Sequence, residues 1–219
     1  MVGQKIKWGW TDVILSIIAL VPVIAALLFY DRLPARMAVH FGLNGQPNGY
    51  QDKFSFVVII GLLTLVLPLL IKVLQQIDPR RENYTKFRGA FEWIRLAVTI
   101  FLSGIFGVDI AYNLGVSLNF QMITSIGIGL LFIVIGNYLG QVRSNYFIGI
   151  RTPWTLAHDE VWRRTHRLAG PLWMIAGLVN IASAFLPKMW TLWVSGIMIG
   201  CVVSVPILYS YLAFRKLQG

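Results

Sequence analysis

The 219 residues would make one or two soluble domains by length, but 57% are hydrophobic and 13% charged, with a mean hydropathy of +0.68. Half the charge of an ordinary soluble domain cannot cover a globule, yet it suffices for the loops of a protein whose sides face lipid. The formal net charge of +10 would fit a nucleic-acid partner, but Lys and Arg fall almost wholly between apolar runs, which points to bilayer orientation and away from direct nucleic-acid binding.

The first apolar stretch able to cross a hydrocarbon core of roughly 30 Å, which takes about 20 helical residues, spans residues 13–30. Lys5 and Lys7 precede it as in a signal peptide. The run is longer than a signal core and no clear small-x-small cleavage site follows, so a retained helix is expected. In the loop at 31–53, Met37, Val39 and Phe41 alternate with Ala38 and His40, as in a strand. Asn44-Gly45 is a two-residue hairpin signal because both positions tolerate positive φ, and Asn48-Gly49 marks a second turn. A small ordered cap is expected, in which His40 by itself reads as part of a turn-rich connector.

A second span at 54–73 leads to Asp78-Pro79, an N-cap followed by proline at the first helical position, which predicts a helix feeding the third span at 94–114. Arg80, Arg81, Lys86 and Arg88 read as membrane-surface charges. Asp109 is the one acid well inside an apolar run, with Asn113 one turn on; such groups face a bundle interior or a wet interface. The fourth span, 120–139, contains Asn137, which with Asn180 in the fifth (168–186) is a candidate for polar contact between helices. The sixth span, 190–211, holds the single cysteine, Cys201, which excludes an internal disulfide and a Cys-rich metal site.

Residues 140–170 are too structured in composition for a tether, with Trp154, Trp162 and several Gly and Pro. Gly149 and Pro153 impose turns, and Arg151 beside Thr152 is an anion-capable fork. From about Ala157 a short interfacial helix is expected, with Asp159/Arg163 and Glu160/Arg164 as i,i+4 pairs. Trp162, Thr165, Leu168 and Ala169 take its less polar face, and it turns at Gly170-Pro171 into the fifth span. His158, Glu160 and His166 lack the spacing of a zinc protease, and no nucleophile elbow, phosphate loop or nucleotide fingerprint occurs. No catalytic residue, metal or cofactor is assigned, and His166 is expected to make a structural hydrogen bond.

Alternate loops carry 15 Lys and Arg on one side and 4 on the other (Arg32, Arg36, Lys53 and Lys188), so both termini and residues 140–170 are expected in the cytoplasm and residues 31–53 outside. The expected fold is an all-α integral membrane bundle of about six transmembrane helices with a small extracytoplasmic cap and a short cytoplasmic interfacial helix, forming one domain over 1–219.

The stretch Gly136-Asn137-Tyr138-Leu139-Gly140, then Asn145-Tyr146-Phe147-Ile148-Gly149-Ile150-Arg151-Thr152-Pro153-Trp154-Thr155-Leu156, then Val161-Trp162 and Thr165-His166-Arg167, resembles the signature of the SdpI family of bacterial membrane proteins. The outer loop, from Leu33-Pro34 through His40-Phe41-Gly42 to Asn44-Gly45-Gln46-Pro47, resembles a small domain of unknown function that often precedes that signature. One departure is Ala157-His158, where a helix-capping polar residue such as Ser is expected first. The resemblance implies a multi-pass bacterial cell-membrane protein giving immunity against a secreted toxic peptide. It also implies a receptor that holds a cytoplasmic transcriptional repressor at the membrane. Besides lipid, the expected partners are therefore the toxin and that regulator. Two other readings stay open: a small-solute or peptide transporter, for which the intramembrane polar residues are few, and an interfacial membrane enzyme built on Arg151, His158, Glu160 and His166.

Overall fold

A chain with long apolar runs and few charges satisfies its backbone inside lipid only by coiling each run into a helix or closing a barrel. The computed structural model describes residues 8–42 and 46–218 and shows the helical solution. In chain order come α1 (Trp10–Leu28), β1 (Arg36–Phe41), β2 (Pro47–Asp52), α2 (Lys53–Ile77), α3 (Arg88–Asn113), α4 (Phe120–Leu139), α5 (Pro153–Ala157), α6 (Asp159–Ser183) and α7 (Lys188–Gln218). The protein is an all-α membrane bundle carrying one small hairpin. Among the described residues, five helical segments are long and apolar enough to cross a membrane: α1, α2, α4, α7, and α3 with the 3-10 turn of Arg81–Phe87 before it.

The remaining long helix, α6, differs from expectation. The interfacial helix and the fifth span are one helix, unbroken at Gly170-Pro171. Pro171 lies inside the helix, as Pro22, Pro68 and Pro206 do in α1, α2 and α7, and Gly170 packs closely against Gly136 of α4. Nor does a helix begin at Pro79. Asp78 accepts from the backbone N–H of Arg80, a 3-10 turn follows, and α3 starts at Arg88.

The closest helix packing is between α4 and α6, where glycines bring the backbones together. A Cβ on Gly136 would stand 2.7 Å from the Gly170 carbonyl, and one on Gly129 2.6 Å from the Gly177 carbonyl. Small residues at such crossings let membrane helices gain the dispersion contact that lipid cannot outcompete. Apolar clusters sit toward the two ends of α3. At one end Met37 of the hairpin packs with Ala26, Phe56, Phe106 and Ile110. At the other, Tyr84, Phe87 and Phe91 pack with Val142 and Trp162. Ile17, Leu28, Leu62, Leu208 and Leu212 stay exposed, as on a lipid-facing surface.

β1 and β2 pair antiparallel, with register shifts between Ala38 and His40 and between His40 and Phe41. The irregularity overturns the expected alternation: Met37 and Ala38 are both buried and Val39 is exposed. Asn48-Gly49 is not a second turn; both lie within β2, and Gly49 pairs with His40, against whose Cβ an added side chain would stand 2.8 Å away. The Asn44-Gly45 turn signal falls outside the described residues.

Candidate functional site

Residues 140–157 fold back on the starts of α3 and α6 through side chains that replace regular backbone pairing. Asn145 is fully buried and acts as the hub. Its Oδ1 accepts from the N–H groups of Phe147 (2.9 Å) and Ile148 (2.7 Å), and its Nδ2 donates to the carbonyls of Arg143 (2.8 Å) and Ile148 (2.9 Å). An amide has donors and acceptors for all four, whereas a carboxylate could only accept. The buried Tyr84 hydroxyl stands 3.2 Å from the same Oδ1 and 3.0 Å from Asp78 Oδ2, which also accepts from Tyr146 N–H at 2.9 Å. Arg80 completes the tie, donating to Ser144 Oγ and to the Leu156 carbonyl (2.9 Å) and pairing with Asp159 at 3.5 Å. Arg80 is therefore an organiser of the loop and not a free surface charge.

Thr152 caps α5, with Pro153 at the first helical position, and its hydroxyl meets Ser210 of α7 at 3.0 Å. Trp154 packs on Tyr211. Arg151 is exposed and donates to the Tyr146 carbonyl at 2.8 Å. At the departure noted above, His158 is the N-cap of α6, its ring accepting from Glu160 N–H at 3.3 Å. The expected Asp159/Arg163 pair does not form, because Glu160 holds both Arg163 (2.8 Å) and Arg164 (2.7 Å). Those two hydrogen bonds pull the Glu160 carboxyl down to about 2.

Trp162 and His166 share the buried face of α6 with rings stacked 4.1 Å apart. Trp162 Nε1 donates to the Val142 carbonyl at 2.8 Å, while the Thr165 hydroxyl on the same face is buried without a partner among the described residues. His166 Nε2 lies 3.0 Å from Ile150 N–H, a donor, so it must be bare; the proton sits on Nδ1 and is donated to the Trp162 carbonyl at 2.9 Å. Burial pushes the imidazole down to about 4. Gly149, at φ +111°, makes room, since a Cβ there would collide with His166 Nε2.

Sequence reasoning missed a buried ion network where α1, α2 and α3 meet. Asp12 contacts Lys72 and, at 2.9 Å, Arg95, whose guanidinium also reaches Glu92 (2.7 Å) and the Pro68 carbonyl (3.2 Å). The alternate-loop count includes Lys72 and Arg95 among its 15 charges, yet Asp12, Lys72 and Arg95 are all buried. Nothing in a single sequence pairs positions 60 and 83 residues apart.

At the hairpin end, Asn113 serves as a strand partner for β1, accepting from Ala38 N–H (2.8 Å) and donating to the Ala38 carbonyl (3.1 Å). His40 is exposed and meets Asn48 at 2.5 Å; Pro34 is exposed and Pro47 half-buried opposite Phe41. A cavity of about 400 Å³ opens beside them, walled by Phe41, Tyr112, Phe120 and Leu192, with Thr124, Ser125 and Ser195 deeper and His40 and Lys188 also lining it. Asn180, fully buried, accepts from Ser195 at 2.7 Å and joins α6 to α7. Asn137 is exposed and makes no such contact among the described residues, where it does not join helices as expected, and Asp109 is half-buried on α3. These polar residues do not form one row. Among the described residues, no group of three His, Cys, Asp or Glu side chains could hold a metal.

Residues 141–210 match the SdpI/YfhL protein family, and residues 17–65 match the Domain of unknown function (DUF1648). The "Immunity protein SdpI" of Bacillus subtilis (strain 168) is 23% identical over 208 residues, 95% of this chain and 98% of that protein. No solved structure matches. The chain thus matches the SdpI/YfhL family over 141–210 and DUF1648 over 17–65, in the order that its two loops resemble.

Proposed function

We propose that this protein is a membrane immunity protein that protects a bacterium against a secreted peptide toxin. The observation that carries the reading is the similarity to an immunity protein along nearly the whole of both chains. In this reading the hairpin end lies outside the cell and takes an apolar side chain of the toxin in the cavity, against the wall that the packed rings of Phe41, Tyr112 and Phe120 form. The loop at 140–170 lies in the cytoplasm, where the exposed charges of Arg163 and Arg167 meet a transcriptional repressor and hold it at the membrane. The burial of His166 against Trp162 supports a packing role for the best acid-base candidate and speaks against an interfacial enzyme.

The test is survival of a toxin-sensitive bacterial host expressing the chain, challenged with secreted peptides from related strains. Protection that Phe120→Ala weakens at matched expression is expected, with Arg163→Glu/Arg167→Glu leaving survival intact while reducing recruitment of a tagged repressor. An absence of protection against every peptide would overturn immunity. Parallel loss of survival and recruitment in the charge-reversed variant would overturn the division between two ends.

A further inference from the structure

We propose that a second cavity, between the Arg81–Phe87 turn and the start of α6, binds the phosphate of an anionic phospholipid headgroup. The cavity is about 430 Å³ and is lined by Asn83, Lys86, Arg143, Asp159, Glu160 and Arg163, with Trp162 also facing it. Its carboxylates are already engaged: Asp159 with Arg80, and Glu160 with both Arg163 and Arg164. Lys86 has only the Asn83 amide, at 2.9 Å, and the exposed Arg143 guanidinium has no hydrogen bond or ion pair among the described residues. The lining thus sets three cations, Lys86, Arg143 and Arg163, against two carboxylates that Arg80 and Arg164, which do not line it, also hold, and the charge left over favours an anion with several acceptor oxygens, which Arg forks and Lys ammonium groups bind well.

Position favours a lipid as the source. Trp10 and Trp93, at this same end of α1 and α3, are more than half exposed, as in the aromatic belt at the headgroup level. A cationic cavity at that depth meets phosphodiesters at high local concentration. The Arg80 and Asn83 contacts to Ser144 hold the cavity wall, so a bound headgroup would join the Arg81–Phe87 turn, the 140–145 loop and α6.

The experiment measures thermal unfolding of the purified full chain in nanodiscs of phosphatidylcholine with and without phosphatidylglycerol. Three proteins are compared: the unaltered chain, Lys86→Gln/Arg143→Gln, and Arg81→Gln/Arg88→Gln, which removes two exposed charges near the same end but outside the cavity. Phosphatidylglycerol should raise the midpoint of the first and third proteins and leave the second unmoved, because a ligand that binds only the folded state stabilises it by mass action. Equal loss of the shift in both double variants would mean diffuse surface attraction and overturn the site. If Lys86→Gln/Arg143→Gln is unfolded in phosphatidylcholine alone, Arg143→Gln replaces it, with a halved or smaller shift expected. Inorganic phosphate against chloride at matched ionic strength, in detergent, separates the sources. A phosphate shift lost in the cavity variant, with none from the lipid, would overturn the lipid assignment. None of these outcomes depends on toxin protection.

Discussion

A methyl group added at position 149 tests how tightly the loop is drawn onto α6. Gly149 has φ +111°, where L-residues are strained, and the new Cβ would strike His166 Nε2. Gly149→Ala should therefore lose about 1–3 kcal/mol of stability, whereas Gly140→Ala, with open space around its Cβ position, should change it by less than about 0.5 kcal/mol. Thermal unfolding in detergent compares them, and equal small effects would show that the loop does not depend on the fit. His166 gives a pH signature. Its folded pKa of about 4 lies below the ordinary 6.5, so its contribution is fully present above pH 6.5 and is lost as pH falls from 6.5 toward 4, where the unfolded chain takes up a proton that the folded one refuses. The loss should reach about 3 kcal/mol. His166→Gln should flatten stability across that window, and an unchanged slope would contradict the neutral ring inferred from the Ile150 and Trp162 contacts.

At the scale of elements, the Asp12–Lys72–Arg95 network joins three helices through buried charge. Such a network adds little over an apolar contact when intact, but removing one partner strands the others. Asp12→Asn should cost about 3–5 kcal/mol. Lys72→Met in the same background should recover part of that loss, because it removes the buried cation whose carboxylate was Asp12, while Arg95 keeps Glu92. Additive losses in a denaturant or thermal series would mean that the groups do not act together. α3 links this network to both ends of the molecule, with Asn113 bound to the hairpin and Phe87 and Phe91 packed beneath the 140–157 loop.

For the whole molecule, the charge asymmetry between alternate loops predicts the sidedness that the proposed function needs. Moving Lys72 and Arg95 from the loops to the buried network leaves the positive excess on the same side. Cysteines placed at the exposed Asp31 and Gln141 in a Cys201→Ala background should react with an impermeant thiol reagent in intact cells at Asp31 only. Labelling at Gln141 alone would invert the bundle and place the hairpin cavity in the cytoplasm.

The sequence by itself determined the helical membrane class and the fourth helix at its observed bounds, because each follows from composition or local pattern over neighbouring residues. It also marked Gly149 as a turn and placed Trp162 on the less polar face of its helix, whereas Asn145 and Thr152 entered only through the family resemblance. Tertiary structure alone decided what depends on distant partners. The union of interfacial helix and fifth span rests on Gly170 lying against α4, and the broken alternation of β1 on a register shift and the approach of Asn113. The roles of Asp12, Lys72 and Arg95 arise from burial against one another. Charge near a helix end looks the same in sequence whether it meets water or a buried counter-charge, and only packing distinguishes the two.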